Sequence, residues 1–213
     1  MNLTLAALIA LLPSLAAAAP SLESAASGSL AAFETMALPR PSASSAALAR
    51  RPAVATMQGG FDGQTAGLTL DRRAWTIVGG LNGQAVKIAI DNDAKTVTGA
   101  VNGRNVALTF DWTPERVSYK GAVNGSDIEY TIDWHARVVD GFANGAKIHL
   151  EFSLPDGTVD GGKSSVNGAS AGLALDAPSG RLTGTFGGKD VGLTLVNADL
   201  SDFLQNLYLF VKP

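Results

Sequence analysis

Along most of the chain, hydrophobic and polar side chains alternate one by one in short runs. Val86, Ile88 and Ile90 interleave with Lys87, Ala89 and Asp91, and Val106, Leu108, Phe110 and Trp112 with Ala107, Thr109 and Asp111. Ile128, Tyr130, Ile132 and Trp134 alternate with Glu129, Thr131 and Asp133. Ile148, Leu150, Phe152 and Leu154 alternate with His149, Glu151 and Ser153. A period of two marks a strand with one buried and one polar face. Ahead of each run stands Asn-Gly, and ahead of that a second alternating stretch, such as Val97, Gly99 and Val101 or Val117, Tyr119, Gly121 and Val123. Asn-Gly between two such stretches predicts a two-residue type I′ turn, whose central residues both need positive φ.

The unit recurs. Its closing glycines fall at 63, 83, 103, 125, 145, 168 and 188, in steps of 20, 20, 22, 20, 23 and 20 residues. Seven copies of a hairpin of about 20 residues predict an all-β chain of about 14 strands that follow one another as an antiparallel meander. The turns between hairpins open on Asp71, Asp91, Asp111, Asp133 and Asp176, with Lys95, Arg116, Arg137 and Arg181 four or five positions later. Aspartate opens a turn by accepting backbone N–H bonds, so this column reads as turn chemistry with surface ion pairs across it. Gly79, Gly99, Gly121, Gly141 and Gly184 fall on the apolar face in mid-strand, where glycine weakens a strand unless the sheet bends sharply or a backbone comes close.

A lone hairpin is marginal in water, so the apolar faces must share one cover. A meander this long curls into a strongly curved sheet or a closed barrel. With its apolar face inward it is a soluble barrel filled by its own side chains and a terminal helix. With that face outward it is an outer-membrane barrel. Strands shorter than about 9 residues, the lack of long loops and a single aromatic rim favour the inward arrangement.

The two ends differ from the repeats. Residues 1–18 hold no charged side chain, and the apolar run from Leu3 to Leu12 is too short to span a bilayer. Ala16 and Ala18 match the small-residue pattern of signal-peptide cleavage, which predicts a leader over 1–18 and an exported product, periplasmic, outer-membrane-associated or extracellular. Residues 19–56 contain 12 Ala, 7 Ser and 4 Pro and read as a linker, which places the repeat domain at 57–196. Over 197–213, Leu200, Phe203, Leu204, Leu207 and Val211 recur at helical spacing, with Asn197 or Asp199 as N-cap. A final strand through residues 207–210 is the alternative for this C-terminal cap.

The chain has no cysteine, which excludes disulfides, thiolate metal sites and cysteine nucleophiles. Sixteen basic against 19 acidic side chains give a net charge of −3, with no basic field for nucleic acid. His135 and His149 are the only histidines and read as solvated. Residues 156–162 have the glycine and aspartate content of a calcium loop without its ligand spacing, and read as a polar turn. No constellation meets the geometry of an enzyme, and neither a cofactor nor a metal site is predicted. Trp75, Trp112 and Trp134 all fall at the Asp-turn end, beside Asp111 and Asp133. Aromatic rings next to acidic groups stack on sugars, which makes these five residues the candidate ligand site. Against that stands a structural role for Trp112 and Trp134, continuing the alternation and sealing the core edge. The hairpin resembles the cell-wall choline-binding repeat in length, and Lys120 to Gly125 resembles part of a MORN repeat. The aromatic residues of both families are missing, so neither ligand carries over. The expected function is a non-catalytic scaffold or binding protein of the envelope or extracellular space, with polysaccharide or a surface protein as partner. The alternative is the outer-membrane barrel, the only reading that needs a membrane.

Overall fold

A computed structural model describes residues 51–211; the leader proposed for 1–18 and the linker up to residue 50 lie outside the described residues. Five regular hairpins come first: β1 (Val54–Phe61) with β2 (Gln64–Asp71), β3 (Thr76–Leu81) with β4 (Gln84–Asp91), β5 (Thr96–Val101) with β6 (Arg104–Trp112), β7 (Arg116–Val123) with β8 (Ser126–Asp133), and β9 (Val138–Ala143) with β10 (Ala146–Ser153). The sixth is broken into β11 (Thr158–Val159), β12 (Ser165–Val166), β13 (Ala169–Ser170) and β14 (Gly172–Asp176). The seventh is β15 (Arg181–Phe186) with β16 (Lys189–Val196). The repeat therefore begins at Val54, in the last residues ascribed to the linker.

Every strand pairs antiparallel with its neighbour, and β16 returns to β1, with Thr56 opposite Val196. β10 holds β11 through Phe152 and β12 through Ile148, so these two pieces are one interrupted strand. At the break the Ser164 hydroxyl accepts a hydrogen bond from the Glu151 N–H at 2.8 Å and takes the place of a ladder bond. Sixteen segments thus make 14 strands and a closed barrel. The insertion explains the one step of 23 residues.

The turns have the predicted chemistry. In six of the seven hairpins the Asn or Asp before the closing glycine has φ of 52–55° and the glycine 68–81°, both positive as a type I′ turn demands. The mid-strand glycines also show why they are glycines. Gly99 has φ of 143°, and a methyl group on it would overlap the Lys87 carbonyl oxygen of the neighbouring strand. Gly59, which the sequence pattern did not single out, completes the series with φ of 140°. Each crease bends the sheet toward closure.

The apolar face points inward. Val86, Ile88, Leu108, Ile128, Ile132, Leu150 and Leu193 are all buried in one continuous core. A 14-strand wall encloses more space than its own side chains fill, since about 8 strands are the size that closes on itself. The remaining space is taken by α1 (Leu200–Gln205) and α2 (Leu207–Phe210), which run down the lumen. Leu200, Phe203, Leu204 and Leu207 are almost wholly buried there. Phe203 and Phe210 pack with Phe61, and Phe203 also packs with Phe186, while Tyr208 packs with Tyr119. The Tyr130 hydroxyl donates to the Gln205 carbonyl at 3.2 Å. The alternative of a terminal strand through 207–210 is not what forms.

Candidate binding surface

With the lumen filled, a ligand must meet the barrel at its rims or on its outer wall. Gaps of about 10 and 30 Å³ beside Leu209 are too small for more than a water. The rim that carries the Asp turns is the richer one. β6 runs one alternation beyond Phe110, which lifts Trp112 clear of the core and leaves it 54% exposed. Lys95 lies over this strand end, with Nζ 5.4 Å from the Trp112 ring centre and 5.7 Å from that of Phe110. The distances are those of a cation–π contact. Local chemistry puts the lysine there, for Lys95 occupies the left-handed position of its turn with φ of 55°.

Trp134 behaves differently. It is half-buried against the core and meets Phe152 edge to face, with centroids 5.8 Å apart. It therefore seals the core edge, while Trp112 does not. Trp75, 47% exposed, stands in the turn between β2 and β3, and three strands separate it from β6. The three tryptophans share a rim but do not form one cluster.

The aspartates are mostly occupied by their own turns. Asp133 Oδ1 accepts from the Ala136 N–H at 2.6 Å, and Asp91 Oδ1 from the Asp93 and Ala94 N–H groups at 2.9 and 2.8 Å. Asp71 accepts from Ala74 and Arg73, and these two bonds hold its carboxyl below the usual carboxylate value. The expected ion pairs across the turns do not form among the described residues: Lys95, Arg116, Arg137 and Arg181 are not paired with the aspartates before them. Backbone donors at hydrogen-bond distance outcompete a solvated lysine or arginine on a flexible stem. Asp111, exposed on the outer wall next in sequence to Trp112, is the candidate aspartate whose carboxylate no hydrogen bond or ion pair occupies among the described residues.

On the outer wall His149 Nδ1 lies 2.6 Å from Asp140 Oδ1, and Ser165 is its opposite neighbour on β12. The pairing with Asp140 follows from the Asn144-Gly145 turn, which sets those two residues across from each other. Glu151, the neighbour along the strand, instead accepts from Lys163 at 3.1 Å. Nothing encloses the histidine pair, whose side chains are 39% and 63% exposed, so it lacks the walled geometry that nucleophilic catalysis requires.

A second polar cluster closes the lumen. Asp202, buried at the start of α1, takes an ion pair from Arg51 at 3.1 Å and another from Arg72 at 2.9 Å. Arg51 also pairs with Asp199, which caps the helix through the Ser201 and Asp202 N–H groups. Burial pushes the Asp202 carboxyl up, against the pull of the two arginines. At the opposite rim the Asn144 amide donates to the Val211 carbonyl. These contacts pin the plug at both ends.

The family described as the propionyl-coenzyme A carboxylase BT domain matches residues 43–166, more than half of the chain. The matched stretch covers the wall from β1 to β12 and stops short of the plug. No curated protein and no solved structure matches the chain.

Proposed function

The chain belongs to the propionyl-coenzyme A carboxylase BT domain family, and from that premise we propose a protein that holds and binds rather than catalyses: an exported β-barrel module of the cell envelope or extracellular space, with polysaccharide as its partner. The observation that carries this reading is the filled lumen. A barrel whose interior is taken by its own helices offers partners only its outside. There, at the rim, Trp112 presents a ring to solvent with Lys95 over it, and an exposed ring beside a cationic donor stacks on a sugar face and bonds its hydroxyls. The family name speaks of a carboxylase domain. What matches here is the hairpin wall, and a wall of this kind supports a scaffolding role.

The outer-membrane alternative is less well supported. Lys87, Lys120, Glu129 and Lys147 lie in the strands on the outward face and are exposed. Charges such as these cost up to about 2–4 kcal/mol each at a bilayer midplane.

A glycan array probed with the purified protein tests the proposal. Binding that falls at least tenfold in Trp112→Ala, but little in Trp134→Ala, is the expected result. No bound glycan, or equal binding by Trp112→Ala, removes it. Recovery from cells only in detergent would return the outer-membrane reading.

A further inference from the structure

Five of the turns at the Asp rim close on a residue in the left-handed region: Trp75, Lys95, Arg137, Gly157 and Gly180, with φ of 53, 55, 60, 65 and 68°. Their places are equivalent, for each carbonyl accepts an N–H from the outgoing strand of the next hairpin, Trp75 from Ile90 at 2.8 Å and Lys95 from Phe110 at 2.9 Å. Glycine takes such a position without strain, as it does in two of the five. A bulky aromatic residue there is an outlier. Trp75 holds the place against backbone preference and still leaves 47% of its surface in solvent. Among the described residues no aromatic ring or cation stacks on it, in contrast to Trp134 and Trp112. Neither burial nor backbone geometry accounts for tryptophan at this point, and strain kept at an exposed side chain directs attention to a contact outside the chain.

Trp75 is also in line with the Trp112 site. Trp75 leads into β3, Lys95 leads into β5, and Trp112 ends β6. The three follow one another along the rim as ring, cation and ring. From β3 to β6 is three strand spacings of about 4.8 Å, or about 14 Å, the length of about three sugar rings. In the turn between the two rings, Asp93 is exposed and Lys95 half-buried, an acceptor and a donor for hydroxyl groups. Arg73, Lys95 and Arg116 stand along this line among Asp71, Asp91, Asp93 and Glu115. Positive charge does not predominate, so an acidic chain gains nothing over a neutral one.

We propose that Trp75 and Trp112 are the two ends of one extended site, which takes a linear, neutral polysaccharide laid along the rim and is filled by about three rings. The inference rests on the glycan reading and adds to it a second aromatic contact, a minimum length and the absence of charge on the ligand. A sugar ring has an apolar face that stacks on an indole and a rim of hydroxyls that reaches Lys95 and Asp93. Trp112 holds one ring by itself. A chain long enough to reach Trp75 makes its second contact while already tethered at the first, so affinity climbs with length until both ends are engaged.

Titration of the purified protein with glucose, mannose and N-acetylglucosamine oligomers of graded length, from a single ring upward, tests it, with uronic acid oligomers as the charged comparison. The expected result is an affinity for one of the neutral series that rises about tenfold from one ring to about three and is flat beyond, the size of one aromatic contact. Trp75→Gly should bind the longer chains about tenfold more weakly than the parent does. It should also melt at or above the parent's temperature, because glycine suits the left-handed backbone. Phe142→Ala, which removes an exposed ring from the wall at β9, should bind like the parent. Affinity independent of length, or Trp75→Gly that binds the longer chains as the parent does, overturns the inference and leaves the Trp112 reading standing. A lower melting temperature of Trp75→Gly overturns it as well, since the ring then belongs to the fold. Tighter binding of the uronic acid series overturns the neutral ligand. No binding by any series, or binding unaffected by Trp112→Ala, overturns the glycan reading and this inference with it.

Discussion

Gly99 and Gly67 are both glycines in the middle of strands, and the barrel treats them in opposite ways. At Gly99 the backbone lies where only glycine is comfortable and a neighbouring carbonyl fills the space of a side chain; at Gly67 the angles are ordinary and the space is open. Gly99→Ala should lower the free energy of unfolding by about 3 kcal/mol or more. Gly67→Ala should stay within about 1 kcal/mol of the parent or gain stability, because alanine restricts the unfolded chain. Urea unfolding of the two variants side by side reads the difference, and equal losses would dismiss the distinction. Parity along the strand was enough to place Gly99 on the inward face. The positive φ that makes it indispensable depends on how closely β4 approaches, and no local pattern contains that distance. The candidate site divides in the same way. Trp112 and Trp134 hold equivalent places in the alternation, but Phe152 reaches only Trp134, so only Trp112 remains open.

At the scale of the element, the hairpins were legible and the plug only in part. Asn-Gly turns and period-two runs specify each hairpin within about 20 residues, with no help from elsewhere. The helical spacing of Leu200, Phe203, Leu204 and Leu207 announced a helix with Asn197 or Asp199 as its cap, and of the two it is Asp199 that caps it. What the spacing did not reveal is that this helix is buried on every side and ends at Asn206, whose side chain donates to the Asp202 carbonyl at 2.8 Å. Phe203 is wholly buried among Phe61, Phe186 and Phe210. Phe203→Ala should therefore cost about 3–5 kcal/mol, as cavities in packed cores do. A loss below about 1 kcal/mol in thermal or denaturant unfolding would mean that the plug is not part of the cooperative core. Arg51 and Arg72 belong to the same element through Asp202, and neither could be recognised in the sequence, for Arg72 stands 130 residues away.

For the whole molecule the decisive event is closure. β1 and β16 are first and last in the wall, and an open sheet would leave both as unpaired edges. In the closed barrel the Thr56 to Phe61 amides lie between β16 and β2. Hydrogen exchange should accordingly find the alternate amides of β1 that point to β16 as protected as those inside β5 and β6. Rapid exchange confined to that side of β1 would contradict a closed wall. The amino-acid sequence by itself determined the all-β class, the seven hairpins, the turn type at each Asn-Gly and which strand side chains share a face, because these follow from dihedral preference and alternation between near neighbours. Only the tertiary structure decided that the 14 strands close, that the greasy face turns inward around the chain's own end, and which tryptophan stays in solvent. Those outcomes rest on contacts between segments far apart in the chain, such as Thr56 with Val196 and Arg72 with Asp202, whose geometry exists only once the barrel has formed.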